Sequence, residues 1–254
     1  MGDGIYTALS GALAQQHALD VVANNVANAS TAGFRADRVV FGQLLAGAQA
    51  DGAPVDPRQT PGPDSNKFVK VEQNALDTSS GELRATGNTL DVGIQGDGYF
   101  VVRGSGGDRL TRSGNFMMRE DGALTSVDGR AVVGEDNHPI VFPRGVKDIQ
   151  IKPDGVVMGD GQEVGRIAVK NVSDPAQLLR EGTTTYSITP GAQLATPERV
   201  ELVQGHLEAS NVNAIAGMNE LITIQRSFDA LQRVIDTFQQ IDQRTAKDLG
   251  SRNG

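Results

Sequence analysis

The 254-residue sequence predicts an α+β fold: long N- and C-terminal α-helices packed as a coiled coil, plus a central antiparallel β-domain. Three observations predict it. All ten prolines lie between Pro54 and Pro197, so both ends are free of the residue that most strongly breaks helices. Each end carries apolar residues at helical spacing. Between them the period changes to two, and Asp-Gly pairs recur at short intervals.

At the N-terminus Ile5, Leu9, Ala12, Leu19, Ala23 and Val26 follow three- and four-residue steps with Gln16 as a polar member, and Leu13 and Val22 widen the stripe. The C-terminal pattern is stronger. Leu221, Ile224, Phe228, Leu231, Ile235 and Phe238 step 3, 4, 3, 4, 3, preceded by Ile215 and Met218 and followed by Ile241. That is a coiled-coil seam. At 1.5 Å per residue, a helix from about Asn213 to Lys247 spans on the order of 50 Å and the N-terminal one roughly 40 Å. They can be ordinary core helices of a compact domain, or they can zip with each other, parallel or antiparallel, or with copies of the chain. The alanines of the N-terminal stripe bury little area at roughly 25 cal/mol per Å², so that helix needs several neighbours. Discontinuous segments 1–34 and 207–254 are therefore expected to form the coiled-coil domain, with an extended linker or hairpin over 35–67 and the β-domain over 68–206.

The stretch "AGAQADGAPVDPRQTPGPDSN", with Pro54, Pro57, Pro61 and Pro63, gives the linker or hairpin tip. Leu90, Val92 and Ile94 then alternate with Asp91, Gly93 and Gln95, and Tyr99 to Val102 is a β-prone run. Further strands are expected over 149–151, 156–158, 165–172, 186–188 and 199–204. The pairs Asp121-Gly122, Asp128-Gly129, Asp154-Gly155 and Asp160-Gly161, with the glycine-rich run 104–107, supply the turns.

Several chemistries lack support. A net charge of −8 without a basic, aromatic-interleaved run argues against nucleic acid. There are no cysteines, which removes disulfides, thiolate zinc sites and cysteine nucleophiles. His17, His138 and His206 have no ligand at metal spacing beside them. The Asp-Gly pairs lack the twelve-residue ligand pattern of a calcium loop and read as turns. No phosphate-cradling or nucleophile-elbow motif is present. Asp91, Asp97 and Glu120 or Asp121 could supply the paired carboxylates of a glycosidase, although acidic residues beside glycine are commoner as turn formers. No cofactor and no catalytic residue is expected. No apolar run reaches the ~18 residues of a membrane span, and no cleavable signal is readable.

Three segments together resemble the bacterial flagellar basal-body rod and hook family. "IYTALSGALAQQHALDVVANNVANASTAGFRADR", Ile5 to Arg38, is similar to its N-terminal motif, with Asn24, Asn25, Asn28, Gly33 and Phe34 at the matching places. "GDGYFVV" through "GNFMMREDGALTSVDGRAVVG" is similar to its β-domain signature, and Glu201 to Ile235 to its C-terminal motif. The resemblance leans to the proximal rod, with the distal rod as the alternative. It implies a non-enzymatic structural subunit that polymerises through its terminal helices and transmits torque. Its implied partners are further copies of itself, other rod proteins and the flagellar type III export apparatus, which would carry it from the cytoplasm to the periplasm-crossing rod without a cleaved signal. Asn24, Asn25, Asn28, Gly33 and Phe34 then form either a satisfied helix end or a helix-to-linker assembly joint. The rival classes are a β-rich adhesion or ligand-binding module oligomerised by a coiled coil, and a glycan hydrolase.

Overall fold

The computed structural model describes residues 2–45, 67–197 and 199–251. It is α+β, with one long helix at each end of the chain and antiparallel β-structure between. The chain divides into two compact units, one comprising Met1–Val26, Asp37–Ala75 and Ala214–Gly254, the other Ala27–Ala36 and Leu76–Asn213.

The first unit holds α1 (Gly2–Ala27), β1 (Asp37–Leu45), the start of β2 (Lys67–Leu76) and α2 (Ala214–Ser251). Helix α2 continues past Lys247, and no Pro interrupts it. Helix α1 turns small side chains inward: Ala8, Ala12, Ala14, Ala18, Val21 and Val22 are buried. The two helices meet where one side is glycine. A Cβ on Gly11 would lie 3.5 Å from Leu231, and one on Gly217 only 2.5 Å from a methyl of Val26. Strands β1 and β2 pair with each other. The proline-rich stretch between them, read as a linker or hairpin tip, lies outside the described residues.

The second unit is the β-domain. Its strands in chain order are β3 (Leu83–Ala85), β4 (Val92–Gly96), β5 (Tyr99–Gly104), β6 (Gly107–Thr111), β7 (Phe116–Met118), β8 (Leu124–Ser126), β9 (Ala131–Val132), β10 (Ile149–Ile151), β11 (Val156–Gly159), β12 (Gln162–Arg166), β13 (Val169–Val172), β14 (Leu178–Arg180), β15 (Thr185–Ile188), β16 (Leu194–Ala195), β17 (Val200–Gln204) and β18 (His206–Glu208). The main sheet runs β14-β15-β6-β5-β9-β8-β7, with β13 pairing β5 and β16; β10-β11-β12 forms a second sheet, and β17 pairs β4 as β18 pairs β3. Strand β5 is central because both its faces are apolar. Phe100 and Val102 enter one core with Val92, Phe116, Leu124 and Val157. Tyr99 and Val101 enter another with Leu110, Leu178 and Tyr186.

The Asp-Gly pairs fall at turns. Asp160 and Gly161, at φ 48° and 81°, are the two central residues between paired Gly159 and Gln162, a two-residue hairpin that needs left-handed backbone at both positions. The expected strand over 165–172 is instead two strands. Ile167 donates its N–H to Gly155 and Ala168 donates to Val133, so the chain leaves the β10–β12 sheet and enters the main sheet at this point.

Candidate functional site

The residues singled out at the N-terminal motif distribute between the two units. In the first, Asn24 is exposed, and Asn25 uses its amide like a strand residue: Nδ2 donates to the Asp37 carbonyl at 2.8 Å and Oδ1 accepts from the Asp37 N–H at 3.0 Å. In the second, Asn28 closes a turn, its carbonyl accepting from the Thr31 N–H at 3.1 Å and its side-chain oxygen from the Thr31 hydroxyl at 3.2 Å. The chain then enters the β-domain.

Gly33 is required there on two counts. Its φ is +71°, and an added Cβ would stand 2.3 Å from the Ser113 nitrogen. The close approach lets its N–H donate to the Glu208 carbonyl at 2.7 Å. Phe34 follows, 1% exposed, beneath the Arg180 guanidinium at 4.8 Å from the ring centre. The same guanidinium lies 5.3 Å from the Tyr186 ring and donates to the Arg35 carbonyl.

Arg35 is the residue that sequence reasoning passed over. It is 1% exposed and sits 2.8 Å from Glu208, whose other carboxylate oxygen accepts from Arg112 at 3.0 Å. The Gly81 N–H adds a further bond to Glu208 at 2.8 Å. Arg112 also donates to the carbonyls of Ile94 and Gly96 and lies 5.4 Å from the centre of the Tyr99 ring. Burial lowers the Arg112 pKa, Glu208 opposes the shift, and Arg35 adds to it. Asn211 ties the outside of this cluster: its Oδ1 accepts from Ala36 N at 2.8 Å, and its Nδ2 donates to the carbonyls of Asp77 and Ser79. The only local signal was that Arg35 is the first basic residue of the chain and follows a Gly-Phe pair.

On α1, Ala12 and Val22 are buried, Ile5, Leu19 and Val26 half-buried, and Leu9 and Leu13 exposed at 46% and 63%. On α2, Leu221, Ile224, Phe228, Leu231, Ile235 and Phe238 are all half-buried, while Ile215 and Met218 are exposed. From Leu221 to Phe238 the seam is thus the more covered side of α2, and among its described residues none is fully buried.

Of the carboxylates considered for catalysis, Asp91 and Asp121 have local duties. Asp91 accepts from Thr86 and Asn88 within a turn, and Asp121 from the Ala123 N–H. His17 bonds Asn74, His138 the Asp136 carbonyl and His206 the Gln204 carbonyl. Among the described residues no helix is long and apolar enough to cross a membrane.

Three family models match in chain order: the flagella basal body rod protein over residues 5–35, the flagellar hook protein FlgE/F/G D1 domain over 93–159, and the flagellar basal body rod FlgEFG protein C-terminal over 203–248. A flagellar basal-body rod protein FlgF of Rhizobium meliloti strain 1021 is 34% identical over 90% of each chain. The chain belongs to the flagellar basal-body rod protein family. A FlgF of Mesorhizobium japonicum is 32% identical over the whole of both chains, and a rod protein FlgG of Bacillus subtilis strain 168 is 32% identical over 93% of this chain and 95% of its own. The FlgG likeness is no better than the FlgF one. In rod-family terms the buried anchor is shared between two of the matched segments: Phe34 and Arg35 end the N-terminal one, and Glu208 opens the C-terminal one.

Proposed function

We propose that the chain is a structural subunit of the proximal part of the flagellar rod, polymerising through its terminal helices into the torque-transmitting shaft. Its full-length likeness to rod proteins named FlgF carries this reading. The helices act as a coiled coil: the half-buried seam from Leu221 to Phe238, with Ile215 and Met218 before it, packs with the α1 stripe and with the helices of neighbouring copies. Heterologous contacts repeated by a screw operation build the polymer. The residues Asn24, Asn25, Asn28, Gly33 and Phe34 serve as the assembly joint; the bonds of Asn25 to Asp37 and of Asn28 to Thr31, with the burial of Phe34, support a locally ordered backbone at these positions. The segments 1–34 with 207–254, 35–67 and 68–206 are proposed as the functional divisions of the subunit, with Gly33, Phe34 and Glu208 near their borders packing within the β-domain unit.

On this reading the chain has no enzymatic activity, its partners are other copies and other rod proteins, and the flagellar type III apparatus exports it without a cleaved signal to the rod crossing the periplasm. Deleting the gene and imaging basal bodies by electron microscopy, alongside a swimming assay, is the test. Truncated rods and lost motility are expected; intact rods with normal swimming would refute the proposal. Likeness to FlgG chains over most of their length supports the distal rod as the second reading. Complementing strains that lack one or the other rod protein separates the two.

A further inference from the structure

The buried cluster of the β-domain carries two guanidinium groups on one carboxylate. Glu208 spends one oxygen on Arg35 and the Gly81 N–H, the other on Arg112. Nε of Arg112, and Nε and Nη1 of Arg35, are buried and have no hydrogen-bond acceptor among the described residues. A buried charged donor left without an acceptor is costly, so such groups are normally matched. Beside the cluster lies a cavity of about 190 Å³, with Thr78, Asp97, Tyr99, Arg112, Asn171 and Leu178 in its wall. Tyr99 stands in the cavity wall, and burial raises the pKa of its hydroxyl above the ordinary value, against the pull of Arg35 and Arg112. It keeps its proton and is a donor. A cationic residue, a phenol, a hydroxyl and an amide around a space too small for a drug-sized molecule suit one carboxylate group.

We propose that this cavity takes a carboxylate, supplied by an Asp or Glu side chain of a neighbouring copy of the chain. Each copy offers 31 acidic residues. Asp97 is exposed at the cavity and repels anions. It keeps free carboxylates weakly bound, whereas a side chain delivered by a docked neighbour arrives at a high effective concentration and overcomes that repulsion. The neighbour as source rests on the rod-subunit reading; the carboxylate chemistry of the cavity does not.

The test uses the full chain with ¹⁵N-labelled arginine, following the Nε–H resonances by NMR as sodium acetate replaces sodium chloride at constant ionic strength. Saturable movement of the Arg112 resonance is expected in the monomer. Asp97→Asn, a change at an exposed residue, should lower the midpoint about threefold, and Tyr99→Phe, which keeps the ring, should raise it about threefold, each for roughly 0.6 kcal/mol. No saturable movement in wild type and in Asp97→Asn overturns the proposal. Sedimentation of the assembling protein forms the second arm. Saturating acetate, and not chloride, should reduce self-association if a neighbour's side chain is the occupant; acetate binding with self-association unmoved overturns the neighbour as the source. The first arm needs no assembly, so its failure is separate from that of the rod reading, which the motility assay decides.

Discussion

Gly33, Glu208 and Tyr99 are three residues whose roles follow from what surrounds single atoms. Gly33→Ala forces a side chain onto a φ of +71° and puts its Cβ 2.3 Å from backbone that cannot swing away. The strain and the overpacking together should cost about 3 kcal/mol or more, read as a lowered urea midpoint in circular dichroism. Glu208→Gln keeps the shape but leaves Arg35 and Arg112 without their counter-charge in a site where both are at most 3% exposed. About 3–5 kcal/mol of destabilisation is expected in the same measurement, because the penalty is that of two buried, unmatched cations. Tyr99 gives a pH signature. Its pKa is raised in the folded chain, mainly by burial, so the unfolded chain loses the phenol proton first. Stability is therefore whole below the ordinary tyrosine value of about 10 and falls as pH rises above it. Tyr99→Phe should flatten that fall above the ordinary tyrosine value relative to wild type, measured as the denaturation midpoint against pH; an equal fall in both would dismiss the role.

At the scale of elements, the helix contact makes a two-sided prediction. The Cβ on Gly11 would meet Leu231 at an ordinary 3.5 Å, so Gly11→Ala should stabilise α1 by up to about 1 kcal/mol through helix propensity. Gly217→Ala places the same methyl 2.5 Å from the stiff β-branched Val26 and should destabilise despite the same propensity gain. Thermal unfolding of the two variants side by side checks the sign of each. What the sequence made legible follows the same logic of local against distant information. Hairpins at 121–122, 128–129, 154–155 and 160–161, and strands such as β5 and β10, rest on neighbours a few residues apart, and their pattern is written locally. The split of 165–172 was not, because Ile167 turns to Gly155 and Ala168 to Val133, partners chosen by tertiary packing. Nor was the Arg35–Glu208–Arg112 cluster, whose members come from three distant parts of the chain and show no period of their own. On α1 the small residues that line the buried side are weak hydrophobic signals, whereas the larger Leu9 and Leu13, conspicuous in the sequence, are exposed in the single chain.

That last inversion matters for the molecule as a whole. Tyr6, Leu9 and Leu13 recur at steps of 3 and 4 and are 59%, 46% and 63% exposed, so one side of α1 presents an apolar row to solvent in its early turns. Farther along, the same side carries Gln16 bonded to Asp20, a polar pair that water solvates without penalty. A monomer gains nothing from leaving three large apolar side chains wet, but a subunit that polymerises through its helices does, since covering them contributes roughly 25 cal/mol per Å² at each contact. Changing Leu9 and Leu13 together to Gln should therefore leave the thermal unfolding of the monomer within about 0.5 kcal/mol of wild type, as befits exposed positions. The same double variant should fail to form rods by electron microscopy and shrink the swimming halo of a complemented deletion strain. Normal rods and normal swimming would mean that this row takes no part in assembly. A monomer that loses several kcal/mol would instead make the row part of the subunit's own core.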